Sequence, residues 1–370
     1  MVDIDSNYMR LALQEAKKGI GRTSPNPCVG AIVVKNGKVV GRGYHKKAGT
    51  PHAEIHALQA AGNKAKDATL YVTLEPCNHT GRTPPCTEAV LQAGISRVVI
   101  GLLDPNPGVA GGGADKLSSQ GVEVTSGVLE HEAREINLPF IKHAVSGLPW
   151  VIMKAGISID GRIAAFPGQA TMITGKQSLR KVHAIRNHVD AILIGIGTAL
   201  ADDPSLTTRL SGPVSGRDPL RVVLDAELRL PRSARLLQQD SAADTWIFCR
   251  PGVDKKRRSQ LEESGAVVKT VPVGPDGLLS LASVLTALGQ FQVASLLVEG
   301  GSKVHGSFLE SGLADQLLLF VAPTFIGDQG VPLATFSDKK KKKDLRQLTI
   351  TKTRRCGEDI LIEARFFNNT

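Results

Sequence analysis

Aromatic residues are scarce: Phe, Trp and Tyr make up 4% of the 370 residues. A surface that stacks single-stranded bases needs more of them than this, which argues against a nucleic-acid partner. No apolar run reaches the ~18 residues that a membrane-spanning helix requires, so no membrane partner is expected. The first ten residues contain Asp3 and Asp5 and no apolar stretch, unlike a secretory leader. Cysteines are few, odd in number and widely spread: Cys28, Cys77, Cys86, Cys249 and Cys356. Such a set makes no disulfide framework and points to a reducing, cytoplasmic setting.

The length suits two domains of ordinary size, and 42% apolar with 22% charged residues is a globular balance. The formal net charge is +10, five of it in the single run Lys339 to Lys343. That run reads as a solvated loop. The remaining excess suits a small phosphorylated substrate and cofactor as well as it suits a polymer.

Helix and strand signals alternate along the chain, which implies α/β architecture. Tyr8 to Lys18 predicts an amphipathic helix. Gly30 to Val34 and Lys38 to Tyr44 predict strands, joined by Asn36-Gly37, a type I′ hairpin turn. Pro51 and Pro85 open predicted helices running to Ala61 and Ala93. Thr69 to Thr73 and Arg97 to Leu102 predict strands. A second series begins near Pro149. Its predicted strands start at Trp150, Ala191, Leu220, Ala266, Ser295, Leu317, Gln347 and Asp359, and its predicted helices are Gln177 to Asn187, Leu279 to Leu288 and Lys303 to Glu310. Ser146-Gly147 ahead of Pro149 marks the boundary, giving domains 1–146 and 147–370.

His52-Ala53-Glu54 is followed by Glu75-Pro76-Cys77 and then by Cys86 after eight intervening residues. Zinc favours tetrahedral nitrogen and sulfur donors, and a catalytic site leaves its fourth position to water. His52, Cys77 and Cys86 supply three donors. Pro51 precedes His52 and Pro76 precedes Cys77, which predicts both at helix N-termini, where partial positive charge favours a thiolate. Glu54 is placed to move the water's proton without being a ligand. This is the general zinc-deaminase signature, H-x-E followed by P-C-x-x-C, with a longer second spacing. An alternative is a structural zinc with a fourth ligand from His45, His56 or His79. A nucleic-acid-editing deaminase is another, favoured by net charge and opposed by the lack of aromatics.

The stretch Thr73-Leu74-Glu75-Pro76-Cys77-Asn78-His79-Thr80-Gly81-Arg82-Thr83-Pro84-Pro85-Cys86 closely resembles the bifunctional deaminase/reductases of bacterial riboflavin biosynthesis. So do Pro25-Asn26-Pro27, Gly43-Tyr44-His45 and Asp104-Pro105-Asn106-Pro107. In the second half, Lys154-x-Gly156-x-Ser158-x-Asp160-Gly161-Arg162, Thr198 to Arg209 and Glu299-Gly300-Gly301 resemble the family's reductase. The resemblance implies a cytidine-deaminase-like three-layer domain followed by a dihydrofolate-reductase-like domain. It implies deamination of a phosphoribosylamino pyrimidine with zinc, then reduction of the ribosyl group with NADPH. A homo-oligomer is also implied.

Carried over residue by residue, Asn26, His79 and Arg82 would contact the pyrimidine. Gly156, Met172, Thr198, Asp202 and the turn Gly301-Ser302-Lys303-Val304-His305-Gly306-Ser307 would hold NADPH, the turn by offering backbone N–H groups to phosphate at a helix N-terminus. Ala170, Arg186, Leu206, Arg209 and Glu299 would hold the substrate of the reduction. Ala170 and Met172 depart from the serine and the tryptophan common in the family, so their contacts there would be through backbone. Lys154, Asp202 and Glu299 are the candidate proton donors.

Overall fold

The computed structural model describes residues 4–79, 84–106, 112–210, 216–274, 276–336 and 346–367. Arg82 and the run Lys339 to Lys343 lie outside the described residues. The chain divides into two compact units, Met1–Gly147 and Leu148–Thr370.

Unit 1 runs α1 (Ile4–Lys17), β1 (Gly30–Lys35), β2 (Lys38–Tyr44), α2 (Ala53–Ala61), β3 (Thr69–Leu74), α3 (Cys86–Gln92), β4 (Arg97–Leu102), α4 (Gly113–Ser119), β5 (Glu123–Thr125), α5 (Glu130–Glu135) and α6 (Leu138–Ser146). Its sheet has the order β2-β1-β3-β4-β5. The β1–β2 hairpin closes through Asn36 and Gly37, both at positive φ (50° and 71°), as a type I′ turn requires. Strand β3 then runs antiparallel to β1 and parallel to β4.

Two glycines explain the layering. A Cβ on Gly30 would lie 2.0 Å from the Ala12 carbonyl of α1, and one on Gly43 would lie 2.3 Å from the Ala53 carbonyl of α2. Gly43 pairs with Ala31, the neighbour of Gly30, and successive strand residues face opposite ways. Helices α1 and α2 therefore cover opposite faces of the sheet, and bare backbone lets each approach closely. Val33, Leu70, Val72, Val98 and Ile100, all on the α2 face, belong to the core.

Unit 2 runs β6 (Trp150–Ser158), β7 (Arg162–Ala164), α7 (Lys176–Arg186), β8 (Ala191–Gly195), α8 (Ile196–Asp202), β9 (Leu220–Leu224), β10 (Thr245–Cys249), α9 (Lys255–Glu263), β11 (Ala266–Thr270), α10 (Leu281–Gln290), β12 (Ser295–Val298), α11 (Ser302–Ser311), β13 (Gln316–Ala322), β14 (Val331–Pro332), β15 (Leu348–Cys356) and β16 (Asp359–Phe366). Nine strands form one sheet in the order β11-β10-β9-β8-β12-β6-β13-β16-β15. It is parallel from β11 to β13, and an antiparallel pair closes one edge. Both faces of the parallel part are buried. Leu193, Val222, Phe248 and Val298 join one core with α10, while Ile192, Val223, Ile247 and Leu297 join another with Leu261 of α9. That is the expected pattern for a parallel sheet covered by helices on both sides.

In unit 1, Asp5 in the first turn of α1 accepts hydrogen bonds from the Tyr71 hydroxyl (2.7 Å) and from two nitrogens of Arg97 (2.9 and 2.8 Å). The bonds from Arg97 hold the carboxyl below its ordinary range, against burial, which would raise it. A depressed carboxylate stabilises the fold above its unfolded value, near 4, and the contribution is lost as pH falls through the folded value. Asp5→Asn should therefore lower hydrogen-exchange protection of α1 and β4 at pH 7 by about 1–3 kcal/mol. The gap to wild type should shrink when the measurement is repeated near pH 3.5. Unchanged protection at pH 7 would contradict this role.

Candidate functional site

In unit 1, three donors from three places converge. His52 is the N-cap of α2. Cys77 sits in the loop after β3, and Cys86 is the first residue of α3. His52 Nδ1 lies 3.2 Å from Cys86 Sγ and 3.5 Å from Cys77 Sγ, and all three donor atoms fall within 4.8 Å of one another. Zinc bonds of about 2.05 Å to nitrogen and about 2.3 Å to sulfur put neighbouring tetrahedral donors about 3.5 Å apart, so the spacing fits that ion.

One sequence expectation is corrected. Cys86 rather than Cys77 occupies a helix N-terminus, because Pro76 continues into irregular chain and Pro85 caps α3. The Cys77 loop is fixed by other means. Thr87 N donates to the Cys77 carbonyl (3.2 Å), Cys86 N to Cys77 Sγ (3.3 Å), and the Thr87 hydroxyl to Asn78 Oδ1 (3.1 Å). Buried Glu75 accepts from Asp104 N (3.0 Å) and Ala114 N (2.9 Å), joining this loop to the end of β4 and to α4.

The Cys86 thiol and the His52 ring beside Cys77 hold its thiol down at about 4, as a thiolate. Hydrogen bonding to that thiolate and burial push Cys86 up. Glu54, in the first turn of α2, is 3% exposed, and its Oε2 has no hydrogen-bond partner. Burial raises its carboxyl. An orphaned, buried carboxylate oxygen beside three metal donors is the arrangement a water on the metal would satisfy.

Among the described residues, no fourth ligand joins the three. His45 lies beside His52, with ring centroids 5.3 Å apart, but its nitrogens are committed. Nε2 accepts from Asn26 Nδ2 (3.2 Å), which leaves Nδ1–H to donate to the Pro51 carbonyl (3.3 Å). Burial lowers its pKa, in keeping with a neutral ring. The open fourth position is that of a catalytic rather than a structural site. Asn26 is brought to the cluster through His45. His79 is exposed and near enough to Asp104 to act on its charge. The sequence offered His45 only as an alternative zinc ligand and gave Glu75 no role in holding the site; Glu75-Pro76-Cys77 was the available signal for the latter.

In unit 2, a cavity of about 1500 Å³ opens along the carboxyl ends of β6, β12, β8 and β9. This is where open parallel sheets bind ligands. Gly156, Ala170, Met172, Thr198, Asp202 and Glu299 line it, as do all of Gly301 to Ser307 except Gly306. A Cβ on Gly306 would lie 1.8 Å from the Thr335 carbonyl, so that glycine serves the packing of α11. Arg186, Leu206 and Arg209 are outside the cavity wall. Met172 is 86% exposed at the mouth. Asp202 rises above the usual carboxylate range through burial alone.

Glu299 holds the cavity's main charge cluster. Its Oε1 accepts from Arg186 Nε (2.8 Å), and its Oε2 accepts from a second Arg186 nitrogen (3.0 Å) and from Lys154 Nζ (3.3 Å). Burial would raise this carboxyl, but Lys154 and Arg186 outweigh it and hold it at about 2. Arg186 also donates to the Thr207 carbonyl (3.3 Å), so it acts through Glu299 and the 207 loop. His305 is buried, and burial lowers it to about 4; its Nδ1–H donates to the Leu333 carbonyl (3.3 Å), and its Nε2 has no partner.

Both units resemble known proteins. Residues 2–102 match the family described as the cytidine and deoxycytidylate deaminase zinc-binding region, and residues 149–362 match the RibD C-terminal domain. The riboflavin biosynthesis protein RibD of Aquifex aeolicus is 42% identical over 97% of this chain and 98% of its own. That of Escherichia coli is 40% identical over 97% and 98%. Among solved structures, Acinetobacter baumannii RibD superposes with a TM-score of 0.88 at 34% identity, covering 99% of each chain. A Thermotoga maritima diaminohydroxyphosphoribosylaminopyrimidine deaminase/5-amino-6-(5-phosphoribosylamino)uracil reductase gives 0.85 at 35%, covering 98% of this chain and 99% of its own. With this similarity over nearly its full length, the chain belongs to the RibD family of bifunctional deaminase/reductases of riboflavin biosynthesis.

Proposed function

We propose that residues 1–146 deaminate 2,5-diamino-6-hydroxy-4-(5-phosphoribosylamino)pyrimidine with zinc, and that residues 147–370 then reduce the ribosyl group to ribityl with NADPH. The observation that carries the reading is the triad of donors with an open fourth position beside buried Glu54.

His52, Cys77 and Cys86 would hold zinc, which when bound lowers the pKa of water to roughly 7. Glu54 takes the proton of the attacking water and delivers it to the departing exocyclic amine, which leaves as ammonia. Burial raises its carboxyl, which favours its taking up a proton. Asn26, His79 and Arg82 contact the pyrimidine and its substituents, with His45 orienting Asn26.

NADPH supplies hydride for the second step. The free backbone N–H groups of Ser302, Lys303 and Val304 at the start of α11 would receive its phosphates, His305 N being already bonded to the Gly301 carbonyl (3.1 Å). Gly156, Met172, Thr198 and Asp202 border the rest of the cofactor, and Ala170 and Glu299 border the sugar phosphate, with Leu206 and Arg209 set back behind the cavity wall. Arg186 and Lys154 keep Glu299 ionised and fixed. That leaves Lys154 and Asp202 as the candidates for the proton that accompanies hydride, since ionised Glu299 has none to give. A cytoplasmic, reducing location keeps the thiol donors available, and the described cysteines are free. No helix among the described residues is long and apolar enough to cross a membrane. The exposed edge strand β15, with Ile350 turned outward, supports a homo-oligomer.

Glu54→Gln should keep bound zinc, measured by metal analysis, while ammonia release falls by about 10²- to 10⁴-fold. Normal ammonia release from that variant would remove Glu54 from the mechanism. Chelating the zinc should abolish ammonia release yet leave NADPH oxidation on the deaminated pyrimidine intact.

For the second unit, Glu299→Gln should slow NADPH oxidation at least about tenfold and leave ammonia release unchanged, because charge-assisted bonds to Lys154 and Arg186 are roughly twice as strong as neutral ones. Equal rates of NADPH oxidation in variant and wild type would show that the Glu299 charge has no part in the reduction.

A further inference from the structure

We propose that Arg229 recognises the 2′-phosphate of the dinucleotide and so makes the reductase unit select NADPH over NADH. The inference rests on the cofactor reading given above.

The cavity runs across four adjacent parallel strands, β6, β12, β8 and β9. Lys154 and Gly156 of β6, with Glu299 after β12, mark the end where reduction is placed. Gly301 and Ser302 at the start of α11 lie in the middle, next to Thr198, whose Oγ1 would be 3.0 Å from a Cβ on Gly301. The far end is formed after β9 by Leu224, Ala226 and Arg229. Neighbouring strands are about 4.8 Å apart, so β6 and β9 are separated by about 14 Å. With the nicotinamide at β6 and the pyrophosphate at the α11 N-terminus, the adenosine ribose falls at β9.

Dinucleotide sites distinguish the two cofactors at this ribose. A carboxylate accepts the 2′-hydroxyl in one type, and an arginine accommodates the 2′-phosphate in the other. Both residue types follow β9 here, and only one faces the cavity. Asp225 is fully buried, lies outside the cavity wall, and uses Oδ2 to accept from Leu230 N (2.8 Å). Arg229 lines the cavity, its side chain 59% exposed, and among the described residues its ion pair is with Asp225 at 3.9 Å. That is too long for a hydrogen bond, so the guanidinium fork remains open to an oxyanion. The other charges nearby are occupied. Glu227 is paired with Arg250 through two contacts (2.5 and 2.9 Å), and Asp276 accepts from Leu278 N (3.0 Å). A planar arginine can take a phosphate monoester bidentately, and the ribose hydroxyl of NADH offers it no charge.

The test is isothermal titration of the full chain with 2′,5′-ADP and with 5′-AMP, alongside NADPH and NADH. Wild type should bind 2′,5′-ADP at least tenfold more tightly than AMP, on the order expected for a charge-assisted pair. Arg229→Gln should bring the two ligands within about twofold and leave the AMP affinity where it was, which also reports that the site is folded. Arg229→Lys should restore part of the preference. Undiminished discrimination by Arg229→Gln, with NADPH still preferred over NADH, overturns the assignment of Arg229 and leaves the cofactor reading standing. Equal loss of both ligands also overturns it, because Arg229 would then hold the site without reading the phosphate. Wild type that binds NADPH and NADH alike would overturn the cofactor reading and this inference together.

Discussion

Glu75 and Glu299 each follow the last residue of a parallel strand, β3 and β12, and each is held by partners from elsewhere in its unit. An ionised carboxylate out of water is costly unless its oxygens are satisfied. In unit 1 the cost is met by two backbone N–H groups, which draw the segments after β4 and at the start of α4 onto the Cys77 loop. In unit 2 it is met by two cations. The need to satisfy these groups shapes both sites, because the chain segments that satisfy them also carry Asp104, Arg186 and Lys154.

The two units use their buried charge differently. In unit 1, Glu54 has one oxygen without a partner, and its carboxyl is raised by burial, which suits a group that exchanges a proton. In unit 2, Glu299 is saturated and held at about 2, which suits a fixed charge. His305 and His45 are the uncharged counterparts, buried imidazoles pushed down and tied by one nitrogen to a backbone carbonyl. Fixed, desolvated dipoles and charges of this kind need no reorganisation when charge shifts during reaction.

Much of this was legible where a local rule applies. Asn36-Gly37 announces the hairpin, and β2 and β4 fall on their predicted residues. His52, Glu54, Cys77 and Cys86 stand out because a metal site demands particular residue types at short spacing. Strand β10, Thr-Trp-Ile-Phe-Cys, was not predicted: buried on both faces, it has no alternation to read. Helix α9 has a single buried residue, Leu261, among nine and so shows no apolar stripe. Short α4, α5 and α8 and strands β5, β7 and β14 escape for want of length. The partners of Glu299 lie 145 and 113 residues away, a relation that only the sheet order reveals. The placing of Arg186, Leu206 and Arg209 beyond the cavity wall was equally invisible, because spacing along a chain carries no depth.

The central claim is that one chain carries out a hydrolytic and then a reductive step on the same pyrimidine. It is tested most directly by supplying the diamino substrate, zinc and NADPH to the purified protein and following ammonia and NADPH together to completion. The account predicts one ammonia released for each NADPH oxidised, with ammonia leading. Ammonia without NADPH oxidation, or NADPH oxidation that precedes ammonia, would contradict it.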